Sequence, residues 1–201
     1  MHYGCNKHSA SQTRFVDNSG FTLPLVYKAG PDLIGKIILS DKRAMNAMAL
    51  HLVGASEDTY HVASTGFMHS PMNCVLYTAN PESAYPPIVV NITEKVDTNY
   101  INEVIRRCTE IYERHALLPR CIIVGTEEID QIIMDSSMNK NIPFARETRC
   151  DFWATDCLLV SKDAMLNHDD PRHPLIEILN GVIKYKWVCL SEDGLTQPLG
   201  K

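Results

Sequence analysis

The chain has 201 residues, of which 45% are hydrophobic and 21% charged, and it carries a net charge of -5 at pH 7. A chain of this length and composition can bury a core of its own without covalent cross-links. The acidic balance argues against general nucleic-acid binding, which needs a basic face, and no apolar run is long enough to cross a bilayer.

Residues 1–20 are polar and aperiodic, and they are predicted to form an N-terminal arm in front of a single domain, residues 21–201. They contain no apolar segment typical of a secretory signal. The domain begins with an alternating apolar pattern over 21–27, which predicts a strand. Pro24 lies inside that pattern and lacks a backbone N–H, so the strand is expected at an edge of the sheet.

A short strand is predicted over 35–39, followed by a helix over 41–53. Ser40 or Asp41 can accept hydrogen bonds from the free N–H groups at the start of that helix, and Gly54 can end it in the left-handed conformation. The residues expected to face the core from this helix are Met45, Met48 and Leu52.

The middle of the chain predicts a parallel crossover. Strands are predicted at 60–67, 73–79 and 87–93, and the last of these precedes the longest predicted helix, 98–118. That helix has one apolar face, formed by Ile101, Val104, Ile105, Cys108, Ile111 and Tyr112. Pro119 marks its end, and the short apolar run 121–124 predicts the next strand. A strand, a helix and a strand of these lengths form a βαβ unit.

The C-terminal part predicts further alternation of helices and strands. The expected elements are a helix over 125–138 capped by Thr126 with Ile129, Ile132 and Ile133 inward, a strand over 152–160, a helical turn over 161–166, a helix over 173–181 and a strand over 182–190. We therefore expect an α/β or α+β fold: one domain, a mixed β-sheet with at least one βαβ crossover, and helices packed on the sheet.

The stretch from Asn167 to Gly181, NHDDPRHPLIEILNG, contains the densest group of potential metal ligands. A transition metal could be bound by His168, Asp170 and His173, because imidazoles and carboxylates suit such ions. The spacing matches no established metal signature. A helix entry explains the same residues, with Asp170 or His173 at the N-cap, Pro174 in the first turn and Gly181 at the end. The helix entry is the favoured interpretation.

A second candidate site lies where parallel strands are predicted to end, near Gly125 and Ser161. Ligands of α/β sheets bind at the carboxyl ends of strands, and backbone N–H groups after Gly125 could receive a phosphate. Glu127 and Glu128 follow in the first turn of the predicted helix and would repel an anion. No glycine-rich phosphate motif is present, so a plainly capped helix is favoured.

The remaining polar residues give no catalytic assignment, and no cofactor is expected. His51, His61 and His69 could each join a site in space, but none belongs to a motif. Ser56 and Ser64 lack the strand-to-helix elbow of serine hydrolases, and Asp151 disfavours a thiolate at the neighbouring Cys150.

Aromatic and sulfur-containing residues suggest contacts rather than catalysis. Phe152 and Trp153 are adjacent in a predicted strand and point to opposite faces, so exposure of one ring is an alternative to burial, and exposed aromatic rings are enriched at interfaces. Tyr185 and Trp187 lie in the last predicted strand. Burial in the core is the favoured interpretation for each of these aromatic residues taken singly. The seven cysteines form no CxxC pair and lie mostly in apolar runs, which indicates reduced thiols in a reducing compartment such as the cytoplasm. We expect Cys108, Cys121 and Cys189 to be buried.

Three functional hypotheses follow. The favoured one is a non-enzymatic structural or interaction subunit that packs against a protein partner or a second copy, with the arm at 1–20 contacting a neighbouring chain; a component of a viral particle is one such subunit. The first alternative is a small metal-dependent, hydrolase-like enzyme that uses the loop from His168 to His173. The second is a small-ligand binder near Gly125 and Ser161. Neither a membrane nor general nucleic acid is an expected partner.

Overall fold

The computed structural model describes residues 31–69, 73–139, 142, 144–166 and 173–191. Backbone alone is described for 31–32, 139 and 184–191. The predicted arm at 1–20 and the predicted strand at 21–27 lie outside the described residues, and so do His168 and Asp170.

The helices are α1 (Pro31–Ser40), α2 (Lys42–Val53), α3 (Thr98–His115), α4 (Gln131–Ser136), α5 (Lys162–Leu166) and α6 (Pro174–Ser191). The strands are β1 (Tyr60–Ala63), β2 (Cys74–Ala79), β3 (Ile88–Val96), β4 (Arg120–Ile129), β5 (Met138–Asn139), β6 (Ala145–Glu147) and β7 (Asp156–Ser161).

The strands form one seven-stranded mixed sheet in the order β1-β2-β3-β4-β7-β6-β5. The β3–β4 and β4–β7 pairs are parallel, and the pairs on both sides of this centre are antiparallel. Strand β3, helix α3 and strand β4 are the predicted βαβ crossover. The predicted fold class, a mixed sheet with such a crossover and with helices packed on it, is therefore confirmed.

Helices cover both faces of the sheet. On one face, α1, α2 and α6 pack against apolar strand residues such as Tyr77, Val90 and Ile122. On the other face, α3 and α4 pack against Leu76, Val89 and their neighbours. The central strands are apolar on both sides because both sides are buried, as is usual for parallel strands.

The caps of the two best-predicted helices agree with the sequence pattern. Asp41 accepts a hydrogen bond from the Arg43 N–H at 2.8 Å and begins α2, and Gly54 ends it at φ 69°. Asp97 likewise accepts from the Tyr100 N–H at 2.9 Å and begins α3. That helix ends at Ala116, which adopts φ 55°, two residues before its predicted end and ahead of Pro119.

The predicted strand over 35–39 is wrong, because these residues belong to helix α1. A run of five residues is too short for its apolar pattern to distinguish a strand from a helix. Gly35 has no side chain, so the backbone of α1 can lie close to the sheet, where α1 packs against α6 and β2. A Cβ atom at Gly35 would stand 2.7 Å from the Cδ1 of Ile92. The Tyr77 hydroxyl also donates to the Leu39 carbonyl at 2.6 Å and anchors the end of α1.

The predicted helix over 125–138 is wrong over its first part. Strand β4 continues to Ile129 because β3 continues beside it to Val96, past a register shift between Thr93 and Lys95. Helix α4 is correspondingly short. Of the three isoleucines expected to face inward, Ile133 is buried and Ile129 packs against the core, whereas Ile132 is 79% exposed.

The predicted strand over 182–190 is also wrong, because α6 runs through Gly181 without a break. The buried positions are Leu175, Ile176, Leu179, Val182 and Ile183. Their spacing is helical and continues past the glycine. The β-branched and aromatic residues beyond Gly181 favour a strand locally, but packing of α6 on α1 decides the conformation.

Candidate functional site

His173 is the one member of the predicted metal site that the structure describes, and it lies at the entry to α6. The Leu175 N–H donates to its Nδ1 at 3.3 Å, and Pro174 is the first helical residue. The predicted helix entry with His173 at the N-cap is therefore seen. His168 and Asp170 lie outside the described residues, so their part in a metal site stays a prediction.

The His173 ring contacts two other rings. Its centroid lies 5.2 Å from that of Phe144, in an edge arrangement, and 4.9 Å from that of His51. His51 belongs to the last turn of α2 and is exposed to solvent. No pattern along the chain indicates this pairing, because the two histidines are far apart in the sequence. Within the described ranges, no three side chains among His, Cys, Asp and Glu are grouped as metal ligands.

The predicted ligand site near Gly125 and Ser161 lacks the geometry that was expected of it. Gly125 lies within β4, so no helix begins there. The Thr126 hydroxyl is buried and donates to the Thr93 carbonyl at 3.1 Å. Ser161 accepts from the Ala164 N–H at 3.1 Å and so caps the short helix α5.

Charges at this end of the sheet also disfavour an anion. Glu127 and Glu128 are exposed on the extension of β4, and Lys95 lies 3.8 Å from both Glu128 and Asp130. The carboxylates outnumber the lysine among these residues. The phosphate interpretation is therefore unsupported by the local electrostatics.

The other polar candidates occupy structural positions. His61 forms a 3.1 Å hydrogen bond with the Thr78 hydroxyl across neighbouring strands. The backbone N–H of His69 donates to the Glu110 carboxylate. Ser56 and Ser64 make hydrogen bonds within their own turns.

A buried polar cluster beneath α3 escaped the sequence analysis. The Arg107 side chain is only 3% exposed, and its guanidinium donates to the Asn91 amide oxygen at 3.0 Å and to Glu103 at 3.1 Å. The Tyr100 ring lies 5.6 Å from the guanidinium carbon, and the Asn91 amide donates to the Ile122 carbonyl. Asn91 was hidden inside an apolar strand pattern. The cluster is satisfied internally and fixes α3 on the sheet.

Thiols gather on the same face of the sheet. Cys74, Cys108, Cys121 and Cys157 are buried, and Cys150 is partly exposed. Burial raises the pKa of the Cys74 thiol, and a hydrogen bond with Cys121 together with burial raises the pKa of the Cys108 thiol well above its usual value. Burial likewise raises the pKa of the Cys121 thiol. Protonated, inaccessible thiols are poor nucleophiles. The predicted burial of Cys108 and Cys121 is confirmed, whereas the Cys189 side chain is not described.

Phe152 is the most unusual surface residue that the structure describes. Its side chain is 96% exposed, and its backbone adopts φ 76°. It occupies a tight turn closed by a 3.2 Å hydrogen bond from the Trp153 N–H to the Cys150 carbonyl. Trp153 packs against the core, so the favoured interpretation of burial holds for Trp153 and is wrong for Phe152, which follows the alternative of one exposed ring. The strand predicted from residue 152 begins at Asp156 instead.

Two other large apolar side chains are strongly exposed. Ile132 on α4 is 79% exposed, and Met138 on the outermost strand β5 is 64% exposed. Ile133 and Met134, which follow Ile132 in the chain, pack in the same core as Trp153 and Cys150.

Comparison with protein-family models, with curated proteins and with solved structures gave no match to this chain. Among the described residues, no helix combines the length and the apolar character that spanning a membrane requires.

Proposed function

We propose that this chain is a non-enzymatic assembly subunit that associates with further copies of itself through a surface centred on Phe152. Most soluble assemblies consist of identical chains. The observation that carries the proposal is the combination of full exposure and left-handed backbone at Phe152.

Two unfavourable terms coincide at this one residue. A non-glycine residue in the left-handed region loses about 1–2 kcal/mol. A phenylalanine left in water also forgoes about 1.5–3 kcal/mol of burial energy. In an isolated chain, neither the left-handed backbone nor the exposed ring of Phe152 adds to the stability of the fold. Insertion of the ring into a neighbouring molecule would recover the burial energy, and outliers of this kind cluster at functional positions.

The surroundings of Phe152 suit an interface. The Phe152 ring is the apolar element, and Arg149 and Asp151, close to it in the chain, form an exposed charge pair at 3.7 Å. An apolar centre with a polar rim is the usual anatomy of an interface. The turn fixes the backbone of Phe152 before contact, which reduces the backbone entropy lost on association.

The substitution Phe152→Gly separates an interface role from a structural one. Glycine adopts φ 76° without strain, so the variant should be as stable as the wild type or more stable by up to about 1 kcal/mol. If Phe152 is an interface anchor, self-association should weaken by at least about tenfold. Sedimentation equilibrium over a range of concentrations measures association, and urea unfolding of dilute samples measures stability.

Ala116→Gly is the matched control. Ala116 has a similar backbone conformation at φ 55° but ends helix α3 and presents no ring. This variant should keep or gain stability and should leave association unchanged. A wild-type chain that stays monomeric at every concentration, or a Phe152→Gly variant that associates like the wild type, would refute the proposal.

A further inference from the structure

The contact between His51 and His173 joins two distant parts of the chain. His51 lies in the last turn of α2, and His173 lies directly before α6. Both helices pack on the same face of the sheet, so the fold holds the two imidazoles together. We propose that this pair binds a first-row transition-metal ion of borderline softness, with Zn²⁺ as the representative.

The spacing of the rings fits one shared ion. An imidazole nitrogen lies about 2.0–2.1 Å from Zn²⁺, and the ring centre lies about 1 Å further out, so two rings on a tetrahedral ion have centres about 5 Å apart. The observed separation of the two centroids is 4.9 Å, with 44° between the ring planes. The pair therefore needs little movement of the ring centres to share an ion.

The two histidines differ in how firmly they are held. Phe144 packs against the edge of His173, and the Leu175 N–H contacts its Nδ1, which restricts that ring. His51 is exposed on the helix surface and can adjust to the ion. One ordered ligand and one adjustable ligand form a bidentate site, and the remaining positions of the ion take water or other donors.

The N-cap hydrogen bond makes binding and capping compete. The Leu175 N–H donates to Nδ1 of His173 at 3.3 Å, slightly beyond the usual range for such a bond. Coordination through Nδ1 replaces this hydrogen bond, and coordination through Nε2 places the ring proton on Nδ1 and breaks it.

The test measures Zn²⁺ binding to the full chain by isothermal titration, together with the thermal midpoint with and without Zn²⁺, in the presence of a phosphine reductant. His51→Ala should leave the metal-free midpoint unchanged, because His51 is exposed. It should weaken Zn²⁺ binding by at least about tenfold, the usual scale for a lost metal-site contact. The Zn²⁺-induced rise of the midpoint should disappear with it.

His173→Asn tests the second ligand without removing the cap, since asparagine is a good N-cap residue and a poor zinc ligand. Its metal-free midpoint should stay near that of the wild type while the Zn²⁺ effect is lost. His69→Ala is the control, because within the described ranges the hydrogen bond that His69 makes comes from its backbone N–H. It should bind Zn²⁺ like the wild type.

The proposal is overturned if the wild type binds no Zn²⁺. It is equally overturned if His51→Ala keeps the wild-type affinity, since the ion would then be held elsewhere, for example by thiols. Neither result depends on self-association through Phe152, so this inference and the proposed function fail or hold separately.

Discussion

Arg107 illustrates at the level of a single residue how a charge can be accommodated beneath a helix. Its guanidinium is buried, yet Asn91, Glu103 and the Tyr100 ring surround it. The Asn91 side chain is fully buried and depends on Arg107 as the donor to its amide oxygen. Removing the arginine would therefore leave a buried acceptor unsatisfied.

Arg107→Met should lower the free energy of unfolding by about 2–3 kcal/mol, because a buried hydrogen bond to a charged group is lost and its acceptor is stranded. Glu103→Gln is the comparison. The Glu103 side chain is 52% exposed, so its loss should change stability by less than about 1 kcal/mol. Urea unfolding of both variants checks the difference. Equal effects would mean that Asn91 finds another donor.

His115 gives a second prediction, on pH dependence. Its Nε2 is buried without a hydrogen-bond partner among the described residues. Burial, and then the nearby Arg114, lower the pKa of His115 below its ordinary value of 6.5. The unfolded chain therefore takes up the proton first as pH falls. The contribution of His115 is fully present above pH 6.5 and is lost as pH falls below it.

The measurement compares wild type with His115→Gln by urea unfolding at several pH values. Between pH 8 and pH 5 the wild type should lose more stability than the variant, because glutamine does not titrate. Phe67 packs against the edge of the His115 ring and should keep its environment in the variant. Parallel stability curves for the two proteins would contradict the assignment.

Helices α1 and α6 each contain a glycine, and replacing it by alanine should have opposite effects on stability in the two helices. Gly35→Ala places a methyl group 2.7 Å from Ile92 in the core, and this overpacking should outweigh the gain in helix propensity, for a net loss of up to about 2 kcal/mol. A Cβ atom at Gly181 would lie 4.0 Å from the Cδ1 of Ile38, an ordinary contact distance, so Gly181→Ala should stabilise the chain by about 1 kcal/mol.

Thermal and urea unfolding of the two alanine variants check this prediction. The Gly181 result also tests the course of α6. If the helix ended at Gly181, as the sequence pattern suggested, the glycine would adopt a left-handed conformation and alanine would destabilise it. A stabilising substitution agrees with a continuous helix.

Helices α2 and α3 were predictable because local signals and packing agree. Each begins at an aspartate that caps it, and each has buried residues at helical spacing. For α1 and the second half of α6, β-branched residues favoured strands. The close contact of Gly35 is with Ile92, which lies far along the chain and meets Gly35 only when the sheet has formed. Such long-range packing is not contained in a short sequence window.

The candidate sites were predictable only in part, for the same reason. The alternative of one exposed ring in the Phe152–Trp153 pair and the helix entry at His173 follow from adjacent residues. The left-handed backbone at Phe152, the His51–His173 contact and the Asn91–Arg107 bond all depend on the turn or on the joining of distant segments. No spacing rule connects those residues along the chain.

For the molecule as a whole, the distribution of thiols gives a prediction about reactivity. In the native state, Cys74, Cys108, Cys121 and Cys157 should react slowly with a thiol reagent because they are buried, and Cys150 should react faster. In denaturant all of them should react at similar rates. Timed labelling followed by peptide mass spectrometry measures each cysteine. Fast native labelling of the buried four would contradict the packing of α3 on the sheet.

The arrangement of α1 and α6 has a consequence for biosynthesis. These helices pack on each other over one face of the sheet, although α1 is made before every strand of that sheet and α6 after all of them. While the chain is still attached to the ribosome, strands β1 to β7 can pair and α3 can cover the opposite face. Helices α1 and α2 can already cover part of the other face, but the part that α6 covers stays open until α6 has left the exit tunnel, so nascent chains expose that part to chaperones or to one another until that moment.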